Sequence, residues 1–100
     1  MDLAEMKQAA EQAKAFLQAL ANQDRLLLLC ALIQREYAVG ELEQQLGILQ
    51  PTLSQQLTVL RNEGLVDVRK SGRYNYYRVS DERVKAVLDL MYQFFCQKEN

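Results

Sequence analysis

The sequence predicts a mainly helical single domain, spanning residues 1–100 and carrying one small β-hairpin. Three observations lead there. Apolar residues recur at alternating steps of three and four at both ends of the chain. The middle holds two short helical stretches separated by a glycine-bearing turn. After Gly64 the period changes from helical to two, over residues 65–79. One hundred residues suit one domain, and 49% hydrophobic residues are ample for its core. A chain this short buries only about two-thirds of its unfolded surface, so a second subunit would add to its stability.

Residues 3–20 set Leu3, Met6, Ala10, Ala13, Leu17 and Leu20 on one stripe of a helix built from strong formers, with Phe16 beside it. Asn22 can cap a second helix at about 23–35. Its run from Leu26 to Ile33 is apolar nearly all round, which predicts a central, buried helix. A short third helix covers Gly40 to Leu46 and stops at Gly47. Pro51 suits the first turn of a fourth helix reaching about Asn62, where its missing N–H costs nothing. Gly64 then supplies the left-handed cap. Val66 and Val68, then Tyr77 and Val79, alternate with polar or outward residues to form the hairpin, turning at Lys70-Ser71-Gly72-Arg73. Ser80 or Asp81 caps a last helix at about Asp81–Gln97, striped by Val84, Val87, Leu88, Met91, Phe94 and Phe95. The order is α-α-α-α-β-β-α.

No apolar run approaches the roughly 18 residues of a membrane span, and the first residues read as a mature helix. The expected location is the cytoplasm, with no membrane partner. The formal charge of −1 looks wrong for a nucleic-acid binder, so its distribution decides. Residues 1–60 carry four basic and seven acidic side chains, a net of −3. Residues 61–78 carry Arg61, Arg69, Lys70, Arg73 and Arg78 against Glu63 and Asp67, a net of +3. The positive charge is a local patch.

Two short helices followed at once by a hairpin is the order of a winged helix-turn-helix, whose second helix reads the major groove near its N-terminus. Here that end carries Gln50, Thr52, Ser54, Gln55 and Gln56, without one acidic residue. Gln pairs bidentately with adenine, Ser and Thr reach bases or phosphates, and the helix N-terminus itself attracts phosphate. Leu53, Leu57 and Leu60 lie on the opposite face and hold the helix to the body. The bland alternative, a solvated face on a structural helix, is weakened by the basic hairpin directly downstream. Arg69, Lys70 and Arg73 are the expected phosphate or minor-groove contacts. Arg61 and Arg78 suit either DNA backbone contacts or surface ion pairs.

The segments V-G-E-L-E-Q-Q-L-G (39–47), Q-P-T-L-S-Q-Q-L-x-x-L-R-x-x-G-L-V (50–66) and Y-Y-R-V (76–79) resemble the ArsR/SmtB repressor family, over about Ala13 to Cys96. One departure is local. The family often carries Ser before V-G-E-L, completing a capping box with Glu41; here Ala38 stands there, which predicts a slightly frayed helix start. The resemblance implies a homodimer joined through the first and last helices. That makes Leu3, Met6, Ala10, Ala13 and Leu17, with Val87, Met91 and Phe94, the expected interface. It also implies a near-palindromic operator and a ligand that weakens binding.

Many relatives sense metals, yet the chain has no His, and its third helix reads Glu41-Leu42-Glu43 where a Cys-x-Cys cluster is needed. Asp89 and Glu99 lack imidazole partners, and two cysteines cannot complete a tetrahedral zinc site. No metal and no cofactor are expected. Without Cys-x-x-Cys or His to activate a nucleophile, a thiol enzyme is not expected either.

Cys30 and Cys96 remain. On composition they could be small core hydrophobes. L-L-C-A-L (28–32) and Y-x-F-F-C (92–96) resemble the sulfide- and persulfide-responsive subgroup of the family, which includes the biofilm-growth and sulfide:quinone-reductase repressors. That resemblance implies Cys30 and Cys96 as a sensor dithiol, low-molecular-weight persulfides or polysulfides as inducers, and a tetrasulfide link. A peroxide-driven disulfide, an activator role, or merely structural cysteines stay open from the residues alone. Tyr92, one turn before Cys96, can hydrogen-bond a sulfur chain or simply pack.

Overall fold

The structure is a computed structural model that describes residues 1–96; the end of the last predicted helix at Gln97, and Glu99, lie outside the described residues. Five helices and three short strands follow one another as α1 (Leu3–Leu20), α2 (Gln23–Leu32), β1 (Tyr37–Ala38), α3 (Val39–Leu46), α4 (Thr52–Asn62), β2 (Val66–Ser71), β3 (Tyr74–Val79) and α5 (Glu82–Phe95). The helix starts are chemically marked. Asp2 Oδ1 accepts from Glu5 N–H at 2.8 Å, Asn22 Oδ1 from Arg25 N–H at 3.0 Å, and Asp81 Oδ1 from Arg83 N–H at 2.8 Å.

The α3–α4 pair is shaped by its two glycines. Gly47 (φ 69°) ends α3 in the left-handed conformation. At the end of α4, Gly64 (φ 75°) lets Leu65 N–H reach Leu60 C=O (2.9 Å) and its own N–H reach Arg61 C=O (3.0 Å). Those two bonds satisfy carbonyls the helix would leave open and turn the chain into β2. β2 and β3 form the predicted hairpin, in register from Val66↔Val79 to Ser71↔Tyr74. The turn is shorter than expected: only Gly72 (φ 60°) and Arg73 lie outside the strands, which puts Lys70 in β2.

β1 is an addition to the predicted order. Tyr37 and Ala38 pair with Tyr77 and Tyr76, giving a three-stranded antiparallel sheet in the order β1-β3-β2. This strand corrects the expectation that α3 frays at Ala38. Ala38 is buried and ladder-bonded, and its N–H donates to Glu41 Oε1 at 2.8 Å. Half of the capping box therefore survives without Ser, and sheet pairing supplies the rest of the restraint.

The core is centred on Leu28, Leu29 and Leu32 of α2, Leu42 of α3, Leu53, Leu57 and Leu60 of α4, Val66 of β2 and Val84 of α5, all at most 2% exposed. Full burial of these leucines holds the α4 inner face to the body, as its spacing predicts. The expected all-round burial of the second helix is corrected. α2 ends at Leu32, Leu27 is 40% exposed, and Cys30 is exposed as well. One side of α2 meets the core; the other faces outward between α1 and α5. α1 itself is almost wholly exposed before Phe16. No helix among the described residues is long and apolar enough to cross a membrane.

Candidate DNA interface and dithiol groove

The N-terminal end of α4 carries no acidic residue in its first turn, so its N–H groups meet no local counter-charge. The five predicted reading residues fall into distinct situations. Ser54 and Gln55 are exposed, and Thr52 is half-buried. Gln50 caps the helix: its Oε1 accepts from Ser54 N–H at 3.1 Å. Gln56 is half-buried and accepts from Arg25 Nη1 at 2.8 Å through Oε1, so its amide is turned to the body of the domain. Simple outward exposure therefore describes Ser54 and Gln55, not Gln56.

Arg25 is the residue that spacing alone did not single out. It sits in the first turn of α2 and donates from Nε to Ala19 C=O (2.6 Å) and from Nη2 to Gln18 C=O (3.0 Å), besides Gln56. One guanidinium fork thus ties the last turn of α1, the start of α2 and the face of α4. α1 has no basic side chain in its own last turn, so the cation also meets its negative dipole end.

On the wing, Lys70 and Arg73 are exposed, Arg73 in the turn. Arg69 is engaged. Its Nε and Nη2 each donate to the Glu36 carboxylate at 3.1 Å, and its guanidinium lies 4.8 Å from the Tyr76 ring centre. The Arg69 hydrogen bonds hold the Glu36 carboxyl below its usual range, with the charges of Arg69 and Arg78 acting the same way. Glu36 lies between α2 and β1, and nothing in its sequence neighbourhood points to this pairing. Arg61 and Arg78 are exposed and form no salt bridge among the described residues.

Elsewhere, α1, α2 and α5 frame an open apolar groove of about 570 Å³. Leu17, Leu20, Leu26, Val87, Met91 and Phe95 line it, and Cys30, Cys96 and Tyr92 share the same wall. Both cysteines are unbridged and exposed. Partial loss of solvent against these apolar neighbours pushes the Cys30 thiol above its ordinary pKa, and the nearby Cys96 pushes in the same direction. Helices far apart in sequence therefore bring the two predicted sensor thiols into one groove. Most of the predicted interface stripe is exposed alongside it, with Leu3 at 65%, Leu17 at 57% and Phe94 at 64%, while Val87 and Met91 are half-buried.

Residues 22–68 match the family model described as bacterial regulatory protein, arsR family. The biofilm growth-associated repressor of Xylella fastidiosa is 41% identical over 95 residues, covering 95% of this chain and 83% of that protein. The transcriptional activator HlyU of Vibrio cholerae is 41% identical over 97 residues, covering 97% and 90%. The chain belongs to the ArsR family. It is a winged-helix, DNA-binding transcriptional regulator. Solved structures agree with the fold described above. Reduced HlyU from V. cholerae superposes with a TM-score of 0.89 at 41% identity, over 95% of this chain and all of that one. The repressor BigR from X. fastidiosa gives 0.88 at 40% identity, over 98% of this chain and all of that one.

Proposed function

We propose that this ArsR-family regulator is a homodimeric cytoplasmic repressor that binds operator DNA when its thiols are reduced and releases it when Cys30 and Cys96 become bridged by reactive sulfur. The observation that carries the reading is the placement of Cys30 and Cys96 in a single apolar groove beside the exposed α1/α5 stripe. Ser54, Gln55 and the start of α4 would meet the major groove, with Lys70 and Arg73 on flanking phosphates. Leu3, Met6, Ala10, Ala13, Leu17, Val87, Met91 and Phe94 would join two copies.

The bridge balances without an outside oxidant. A thiolate takes the outer sulfur of a persulfide RSSH and releases RSH. Two such transfers make both cysteines persulfides. One then displaces hydrogen sulfide from a third RSSH, and the other displaces RSH from that mixed chain, leaving a four-sulfur bridge. In all, two protein thiols and three persulfides give one tetrasulfide, three RSH and one hydrogen sulfide. Longer bridges relax the Cα separation of about 7 Å that a direct disulfide requires.

Bridging α2 to α5 would shift the helices that set the spacing of two recognition helices. Half-sites lie about 34–36 Å apart, so a small rotation spoils simultaneous docking. A coupling of about 1–3 kcal/mol corresponds to about 5- to 150-fold weaker binding. Mass spectrometry after glutathione persulfide, and separately after peroxide, tests the signal. An internal bridge carrying about 64 Da of added sulfur, formed only with persulfide, is the expected result. Loss of two hydrogens under both treatments replaces the reading with a peroxide-driven disulfide. For the DNA face, Gln55→Ala and Arg73→Ala should each weaken binding to the protein's own promoter; no weakening from either removes the site assignment.

A further inference from the structure

We infer that the groove between α1, α2 and α5 admits neutral dialkyl polysulfanes in preference to anionic sulfur donors, and that one dialkyl tetrasulfane supplies the whole four-sulfur bridge. The inference rests on Cys30 and Cys96 as the sulfur-reactive pair and narrows what reaches them. Among the described residues, the groove wall is apolar apart from the two thiols and the Tyr92 hydroxyl, and no charged side chain lines it. Lys14, Arg25 and Asp89, on the same three helices, all lie outside that lining. A donor ending in carboxylates would lose water against that wall and find no cation among the described residues, which is unfavourable. Alkyl ends gain by burial instead. The volume, about 570 Å³, is that of a small-molecule site.

The reaction is complete with one molecule. One cysteine thiolate attacks an inner sulfur of R–S–S–S–S–R and expels RS⁻, leaving three donor sulfurs and R on that cysteine. The second thiolate attacks the middle of those three and expels the terminal RS⁻. Two donor sulfurs stay between the two Sγ atoms. Each leaving RS⁻ takes the proton of one thiol, so two thiols and one tetrasulfane give one protein tetrasulfide and two RSH. The thiols are oxidised, the polysulfane is reduced, and no other reactant enters.

The test compares dipropyl tetrasulfane with the glutathione tetrasulfane, two donors with the same sulfur chain and different ends. Bridging rates of the full chain are followed by mass spectrometry, each divided by that donor's rate with a short cysteine peptide. The expected normalised preference for the dipropyl donor is about tenfold or more, from burial of its alkyl ends. Phe95→Lys, at a position 79% exposed, places a cation at the groove and should shrink that preference; Ala21→Lys, at an exposed position that also lines the groove, is the second variant if the first misfolds by circular dichroism. Bridging by both donors with a ratio of one or less overturns the inference and leaves sulfur sensing standing. An unchanged ratio in both folded lysine variants overturns it too. No bridge from either tetrasulfane or from glutathione persulfide overturns the dithiol reading along with it.

Discussion

Arg25→Met removes the guanidinium fork while keeping most of the aliphatic stem, and its cost can be worked from the three hydrogen bonds it breaks. These run at 2.6, 2.8 and 3.0 Å to Ala19 C=O, Gln56 Oε1 and Gln18 C=O. A hydrogen bond involving a charged group contributes about 1.5–3 kcal/mol, but the site is only half-buried, and bonds sharing one guanidinium are not additive. A total loss of about 2–4 kcal/mol is therefore expected, read as a lower urea midpoint with an unchanged slope. Gln56→Ala breaks only one of the three and should cost about 1 kcal/mol. The double variant should cost less than the sum, leaving a coupling of about 0.5–1.5 kcal/mol. Operator binding supplies the second readout. If Gln56 is held by Arg25, Gln56→Ala acts through the position of α4 and should lose its effect in the Arg25→Met background. Zero coupling in stability, with Gln56→Ala weakening the operator equally in both backgrounds, would refute the strut and return Gln56 to the DNA-contacting set.

Glu36→Gln should release the Arg69 charge from its carboxylate partner, steepening the salt dependence of DNA binding by about one phosphate contact; a slope unchanged between about 50 and 200 mM salt rules this out. Met6→Glu, at an exposed stripe position away from the thiols, should leave the fold intact and shift the protein to monomer by light scattering; a persistent dimer moves the interface elsewhere. Cys30 carries a pH dependence. Its thiol pKa is raised in the folded state by burial and by Cys96, so folding favours the protonated form. That contribution is full below the unfolded value of about 8.5 and is lost as pH rises through the folded one. Cys30→Ser should remove this alkaline loss, and sulfur transfer to Cys30 should keep accelerating with pH beyond the range where a free peptide thiol has levelled off.

The order of elements was legible because it depends on periods that the chain states openly: the three-four stripes of α1 and α5, the leucines of α4, and the change to alternation after Gly64. The features that the sequence does not reveal depend on partners distant along the chain. β1 is two residues long and has no periodicity to detect; it exists because β3 offers Tyr76 and Tyr77 as an edge to pair with. Nothing in the sequence around Arg25 or Glu36 marks a partner, and only the fold brings Gln56 and Arg69 to them. The misjudged burial of α2 has a different origin. An all-round apolar helix must be covered, but the sequence does not say by what. Here Leu27 and Cys30 wait on the outer side, where the groove and the exposed stripes lie.

That outer side gives α2 its position in the proposed mechanism. Its first turn holds Arg25, which grips the recognition helix through Gln56; Cys30, five residues on, opens to the groove. At 1.5 Å per residue the two are about 7.5 Å apart along the axis, little more than one helical turn. A rigid helix that short cannot be drawn toward α5 at Cys30 without moving Arg25. The same guanidinium also holds the last turn of α1, so displacement would reach the dimer stripe and α4 together. Three bonds from one side chain are geometrically exacting and weak enough to rearrange, which suits an element required to occupy two positions. In this reading the sulfur bridge needs no long relay: the sensor and the strut occupy neighbouring turns of one helix.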